Sequence, residues 1–138
     1  YPTLADGVAP VCPFEDPATE LAARLVERGI HLAELIPIRN KTAVVDEYVA
    51  AFRAAGIEVV AGTEHNTADR IPFDPACTDG AMSEMARAAF WRGTCIVAAH
   101  QARVAAGKPG YVDATGAPAA DVEELVIEGA AIIAGAKE

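Results

Sequence analysis

The stretch AELIPIRNKTAVVDEYVAAFRAAGIEVVAGTEHNT, residues 33–67, decides the fold that this chain predicts. An apolar run over residues 30–38 predicts a buried strand, and Pro37 limits its far end. Thr42 can cap the next helix, which carries apolar residues at helical spacing and stops at a glycine. The β-branched run over residues 57–61 predicts a second strand. Two strands joined by one such helix are most economically a right-handed βαβ unit with a parallel sheet.

The rest of the chain is mainly helical. We predict three segments: an irregular arm over residues 1–15, an α-β-α-β segment over residues 16–67, and a loop with a helical tail over residues 68–138. Asp16 can cap the first helix of the middle segment. The tail is expected to hold a long helix, broken or kinked near Gly93, and a closing helix. At least four helices with only two strands predict either a small mixed α/β domain or the back part of a larger fold.

The composition favours one folded unit. The chain has 138 residues, of which 52% are hydrophobic and 22% charged, and its formal net charge is −9. Such a charge opposes binding to nucleic acids and anionic membranes, so we expect neither as a partner. No apolar run approaches the roughly 20 residues of a membrane span, and we predict a cytoplasmic protein. The chain opens on Tyr1, so we expect further residues before it.

The spacing of the cysteines does not indicate a functional site. Cys12, Cys77 and Cys95 are odd in number, lie far apart and form no Cys-x-x-Cys pair. A disulfide framework or a zinc knuckle is therefore not expected. We predict reduced, mostly buried thiols, because free cysteine usually behaves as a small hydrophobic residue.

Polar side chains follow the second predicted strand. Glu64, His65 and Asn66 come just past Gly62, and ligands of α/β folds bind beyond the carboxyl ends of strands. A carboxylate oxygen and a neutral imidazole nitrogen suit zinc, manganese or iron, so Glu64 and His65 are candidate metal ligands. The alternative is that Asn66 or Thr67 caps the next segment and His65 only makes a hydrogen bond.

The first strand contributes further candidates. Glu34 interrupts an apolar run, and a buried carboxylate there would be a candidate general base or ligand. An edge-strand glutamate facing water is the alternative. Arg39 follows the same strand and could clamp a phosphate or carboxylate, or could be a surface cation paired with a nearby acid. His31 and His100 are more simply explained as structural residues than as ligands.

This order of features resembles the last strand-helix-strand of PHP (polymerase and histidinol phosphatase) domains. The resemblance covers roughly residues 21–67, and it includes the run GIEVVAGTEH. The closing motif of that family reads Gly-Ser-Asp-x-His, and Gly62, Thr63 and Glu64 fall on its first three positions. Asn66 stands where the family has histidine, and His65 is one residue early. The His-x-His pair of the family's first strand is absent from this chain.

The resemblance implies a fold and a function. PHP domains are distorted barrels that bind up to three metals and hydrolyse phosphate esters. This chain would then be the C-terminal strand-helix-strand portion of a (β/α) barrel-like fold with additional C-terminal helices. It would be incomplete as an enzyme without the part before Tyr1. Glu64 and His65 would hold zinc, manganese or iron, Arg39 and Asn66 would bind the phosphate ester or sugar-like substrate, and Glu34 would be the catalytic residue.

Two other functions stay open at this point. The first is a non-catalytic α/β domain that associates with itself or with a missing N-terminal segment, which predicts an exposed apolar patch beside the two strands. The second is another metal-using barrel enzyme, such as a sugar isomerase or aldolase, which would use the same strand-end groups.

Overall fold

A computed structural model of the chain describes residues 15–63, 68, 73–118 and 121–136, and it shows a mixed α/β fold. The elements, in chain order, are α1 (Ala18–Glu27), β1 (Leu32–Leu35), a 3-10 turn (Pro37–Arg39), α2 (Thr42–Ala54), β2 (Glu58–Ala61), α3 (Glu84–Ala105) and α4 (Val122–Gly135). No barrel is seen in these ranges, whose sheet has two strands. No helix within them is both long and apolar enough to cross a membrane.

The predicted βαβ unit is confirmed as two parallel strands joined by α2. β1 pairs with β2 in a register that sets Leu32 opposite Glu58 and Leu35 opposite Ala61. Both strands are shorter than the apolar runs that predicted them. β1 ends at Leu35 because Pro37, which has no backbone N–H for a ladder, begins the 3-10 turn.

The two faces of this small sheet pack against different helices. Side chains alternate between faces along a strand, so Leu35 and Val59 share one face, and Leu32 and Val60 share the other. The first face joins a core with α1 and α2, including Tyr48 and Phe52 of α2. The second face lies under α3, and there Leu32 packs against a smaller cluster around Ile96, Ala99, Tyr111 and Leu125.

α3 differs from its prediction, because it is one continuous helix of 22 residues with no break at Gly93. A Cβ at Gly93 would lie 1.9 Å from the carbonyl oxygen of Val59. The glycine therefore allows the helix to rest directly on the backbone of β2. Ser83 caps the helix by accepting a hydrogen bond from the Ala86 N–H at 3.1 Å. Met85, near the start of this helix, is partly exposed.

α4 closes the fold against α3. The Asp121 carboxylate caps it by accepting hydrogen bonds from the backbone N–H groups of Glu123 and Glu124, at 2.8 and 3.2 Å. A Cβ at Gly129 would lie 1.8 Å from the carbonyl oxygen of Cys95, so the two helices touch backbone to backbone there. By contrast, Pro17 is the N-cap residue of α1 and no side chain of the described residues caps this helix, so the prediction that Asp16 does so was wrong.

Candidate functional site

The parallel pairing brings the carboxyl ends of both strands to one edge of the sheet. The Gly62 N–H donates to the Leu35 carbonyl at 2.7 Å, so the chain leaves β2 directly beside the end of β1. The three residues that the sequence singled out most strongly, Glu64, His65 and Asn66, lie outside the described residues. Their roles stay predictions, but the segment that carries them starts at this edge.

Glu34 lies beside the start of that segment. A Cβ at Gly62 would come within 2.1 Å of Glu34 Oε1, so the carboxylate rests against the bare backbone of the glycine. The side chain is exposed, which confirms the edge-strand alternative and excludes a buried carboxylate at this position. It makes no ion pair or hydrogen bond with the described residues. Its carboxylate therefore lies beside Gly62, which precedes Glu64 by two positions in the sequence.

Arg39 is held near the same edge by the turn that follows β1. It is the last residue of the 3-10 turn, and its side chain is half-buried. The buried Asn40 fixes this turn, since its Nδ2 donates to the Ile36 carbonyl at 2.9 Å. The Asn40 carbonyl in turn accepts from the Thr78 N–H at 2.9 Å. The backbone that carries Arg39 is thus tied on both sides.

A distant carboxylate caps α2, a contact that the sequence did not predict. Asp79 Oδ1 accepts hydrogen bonds from the Thr42 N–H at 2.8 Å and from its hydroxyl at 2.9 Å. These two hydrogen bonds lower the pKa of Asp79 below its usual value, and the bond from the Thr42 backbone N–H has the larger effect. The prediction that Thr42 caps this helix was wrong, because Thr42 is the first helical residue and Lys41 is the N-cap. No spacing signal links positions 37 residues apart, so only the fold could reveal the cap.

The buried carboxylate of this sheet is Glu58, on β2. Its Oε1 accepts from Arg92 Nε at 3.2 Å, and its Oε2 contacts the guanidinium of Arg53. Arg92 also pairs with Glu123 on α4, with 2.6 Å between Nη1 and Oε1. The network joins α2, β2, α3 and α4, and the Glu58 carboxylate at its centre is buried, so we assign it a stabilising role. The signal for it was a glutamate within a β-branched run, which sequence analysis passed over.

His100, Cys77 and Cys95 have contacts or burial that agree with structural roles. His100 Nδ1 accepts a hydrogen bond from the Tyr111 N–H at 3.0 Å, which agrees with a structural role for that nitrogen. Cys77 and Cys95 are buried free thiols, as predicted, and burial raises the pKa of both. Within the described ranges, no group of three or more His, Cys, Asp or Glu side chains is arranged to hold a metal ion.

Comparison with protein-family models, with curated proteins and with solved structures finds no match for this chain. The resemblance to PHP domains therefore stays a prediction that rests on the residues quoted above.

Proposed function

We propose that this chain is the C-terminal portion of a PHP-like, metal-dependent hydrolase that acts on a phosphate ester and is incomplete as an enzyme on its own. The observation that carries the proposal is the position of Glu34. Its carboxylate has no partner among the described residues and lies against Gly62, at the edge where β1 and β2 both end. Functional groups of α/β folds collect at such edges.

The donor chemistry fits a divalent metal. Glu64 and His65 would hold zinc, manganese or iron, since carboxylate and imidazole are both ligands of these metals. A divalent metal, when bound, polarises a phosphoryl oxygen and activates a water molecule for attack. Glu34, being exposed and without a partner among the described residues, would accept a proton from that water or complete the ligand set.

Substrate binding falls to the residues around this edge. Arg39 carries the positive charge that a phosphate needs, and a guanidinium can donate two parallel hydrogen bonds to it. Asn66 would add an amide donor from the segment after β2. With a net charge of −9 on the chain, an anionic substrate needs such a local cation to overcome general repulsion.

Metal binding tests this proposal without requiring the missing part of the enzyme. The purified chain is dialysed against zinc and its metal content is measured, beside His65→Ala and the matched control His31→Ala. We expect zinc in the wild type and in His31→Ala, and a loss in His65→Ala. Equal metal in all three samples, or none in the wild type, would contradict the proposal.

A second variant addresses Glu34 through its neighbour. In Gly62→Ala the new methyl group would overlap Glu34 Oε1 and Ile36 Cδ1, and both flexible side chains must move away. We expect zinc affinity to fall by about tenfold, the size of effect seen when groups that orient a metal site are disturbed. An unchanged affinity would remove Glu34 from the site.

A second candidate function, self-association without catalysis, is favoured by one observation on α4. Ile127 is 72% exposed, and Ile132 on the same helix is also partly exposed. The large exposed apolar residues within the described ranges lie on helices and loops, so the patch predicted beside the strands is not found there. Light scattering at several concentrations, with Ile127→Lys as the disrupting variant, would show a concentration-dependent dimer if this function is correct.

A further inference from the structure

A cleft of about 330 Å³ opens at the other end of the sheet from the candidate metal site. Its walls come from the start of β1, from the middle of α3 and from the irregular segment before α4. Apolar side chains, including Leu32, Ile96 and Val112, form most of the lining. This volume lies at the lower end of the range for small-molecule sites.

Besides the Tyr111 hydroxyl, the polar side chains in this lining are two imidazoles, and they come from different elements. His31 precedes β1, and His100 lies on α3. The fold gives His100 one orientation, because Gly110 packs so closely that a Cβ there would lie 2.3 Å from His100 Nδ1. His100 Nδ1 is already used as the acceptor for the Tyr111 N–H. In the neutral ring the proton therefore sits on Nε2, which remains as a donor.

Tyr111 holds the two histidine-bearing walls of the cleft in place through hydrogen bonds. It is buried, and its hydroxyl donates to the His31 carbonyl at 3.1 Å while its N–H holds His100. One residue thus fixes the backbone at one imidazole and the ring of the other. Neither the His31 imidazole nor His100 Nε2 has a hydrogen-bond partner in the part of the chain that the structure describes, although the His31 carbonyl also accepts from the Glu58 N–H at 2.9 Å.

We infer that this cleft binds a small, mainly apolar molecule that carries a carboxylate or carbonyl oxygen. The apolar walls favour a hydrocarbon body, and the His100 Nε2–H donor selects an acceptor oxygen. A peptide helix is about 10 Å across and would not fit a cleft of this volume. The inference does not depend on the proposed hydrolase activity, since it uses other residues at the opposite end of the sheet.

Phenylbutyrate is a suitable probe, and phenylbutylamine is its matched control. Both have a similar apolar body, but the first ends in an acceptor and the second in a cationic donor. The net charge of −9 attracts the amine and repels the acid, so a preference for the acid cannot come from long-range charge. Binding is followed by titrating each probe into the isotope-labelled chain and recording backbone amide shifts.

Two variants on α3 separate the cleft from the rest of the apolar surface. Val97→Phe fills the cleft, because Val97 lines it. Val104→Phe places the same ring on the same helix at a position that is 53% exposed and outside the cleft. His100→Phe removes the donor while keeping a ring of similar size. The amide spectrum of each variant first establishes that it is folded.

We expect phenylbutyrate to bind saturably, with a dissociation constant on the order of millimolar and shifts centred on Ile96, His100 and Tyr111. It should bind about three- to tenfold more tightly than phenylbutylamine, the value of one hydrogen bond. Val97→Phe should weaken binding at least about tenfold, Val104→Phe should leave it unchanged, and His100→Phe should abolish the preference for the acid.

Several outcomes would overturn the inference. These are the absence of saturable binding to the wild type, shifts centred elsewhere, equal or tighter binding of the amine, or binding that survives Val97→Phe. If His100→Phe does not fold, the comparison of the two probes on the wild type and on Val97→Phe still decides the matter. Loss of zinc binding in His65→Ala with unchanged phenylbutyrate binding would show that the two sites are independent.

Discussion

Replacing the buried Glu58 by alanine should destabilise this protein far more than removing the exposed partner of the same arginine. The Glu58 side chain is 7% exposed and holds Arg92 Nε at 3.2 Å, whereas Glu123, which holds the other end of Arg92, is 71% exposed. A hydrogen bond to a charged group contributes about 1.5–3 kcal/mol, and unpairing a buried charge costs up to about 5 kcal/mol. Arg53 and Arg92 keep some contact with water, so we expect a loss of about 2–3 kcal/mol for Glu58→Ala.

The matched variant Glu123→Ala removes a surface pair to the same guanidinium. Exposed pairs contribute about 0–1 kcal/mol, so this variant should lose less than about 1 kcal/mol. Urea unfolding at equilibrium gives both values if the slope with denaturant is unchanged. A loss below about 1 kcal/mol for Glu58→Ala, or equal losses for the two variants, would refute the view that burial makes this network important.

Two further predictions concern α3 and the cap of α2. Gly93→Ala should lose about 2 kcal/mol, because the new methyl group meets the Val59 carbonyl, whereas Gly135→Ala meets nothing within 4 Å and should lose none; thermal unfolding of both variants tests this, and equal melting temperatures would contradict it. The Thr42 hydrogen bonds lower the pKa of Asp79 in the folded state, so its stabilisation is complete above the unfolded pKa of about 3.9 and is lost as pH falls through the folded value. Asp79→Asn should flatten the decline of the urea midpoint with acid, and an unchanged decline would contradict the cap.

The local elements could be predicted from sequence because local signals specify them. The apolar stripe of α2, the β-branched run of β2 and the alternation of one helix between two strands all act over short distances. These local patterns predicted the parallel βαβ unit correctly. Its strand ends were less accurate, since the apolar runs continue through turns where no partner strand is available.

The tertiary contacts could not be predicted, because the same residue type can have different structural roles in different surroundings. Gly93 looked like a break in a helix, yet it is the point where α3 rests on β2. Glu34 and Glu58 both interrupt apolar strands, and the sequence favoured a role for the first. Only the positions of Arg53 and Arg92, on different helices, explain why Glu58 is the buried one.

The candidate site was predicted only in part for a related reason. The parallel register brings Glu34 and Gly62 together, and this supports a strand-end site. The cleft with His31 and His100 was missed because its polar groups are 69 positions apart in the sequence. A single histidine on a helix, or at the start of a strand, gives no sequence signal of a shared site.

Zinc titration followed by imidazole nitrogen NMR tests the central claim most directly, because the chain has three histidines that variants can assign. The account predicts that the nitrogen resonances of His65 move with stoichiometric zinc, while those of His31 and His100 do not. Shifts at His31 or His100 instead, or no shift at His65, would contradict a metal site at the ends of β1 and β2.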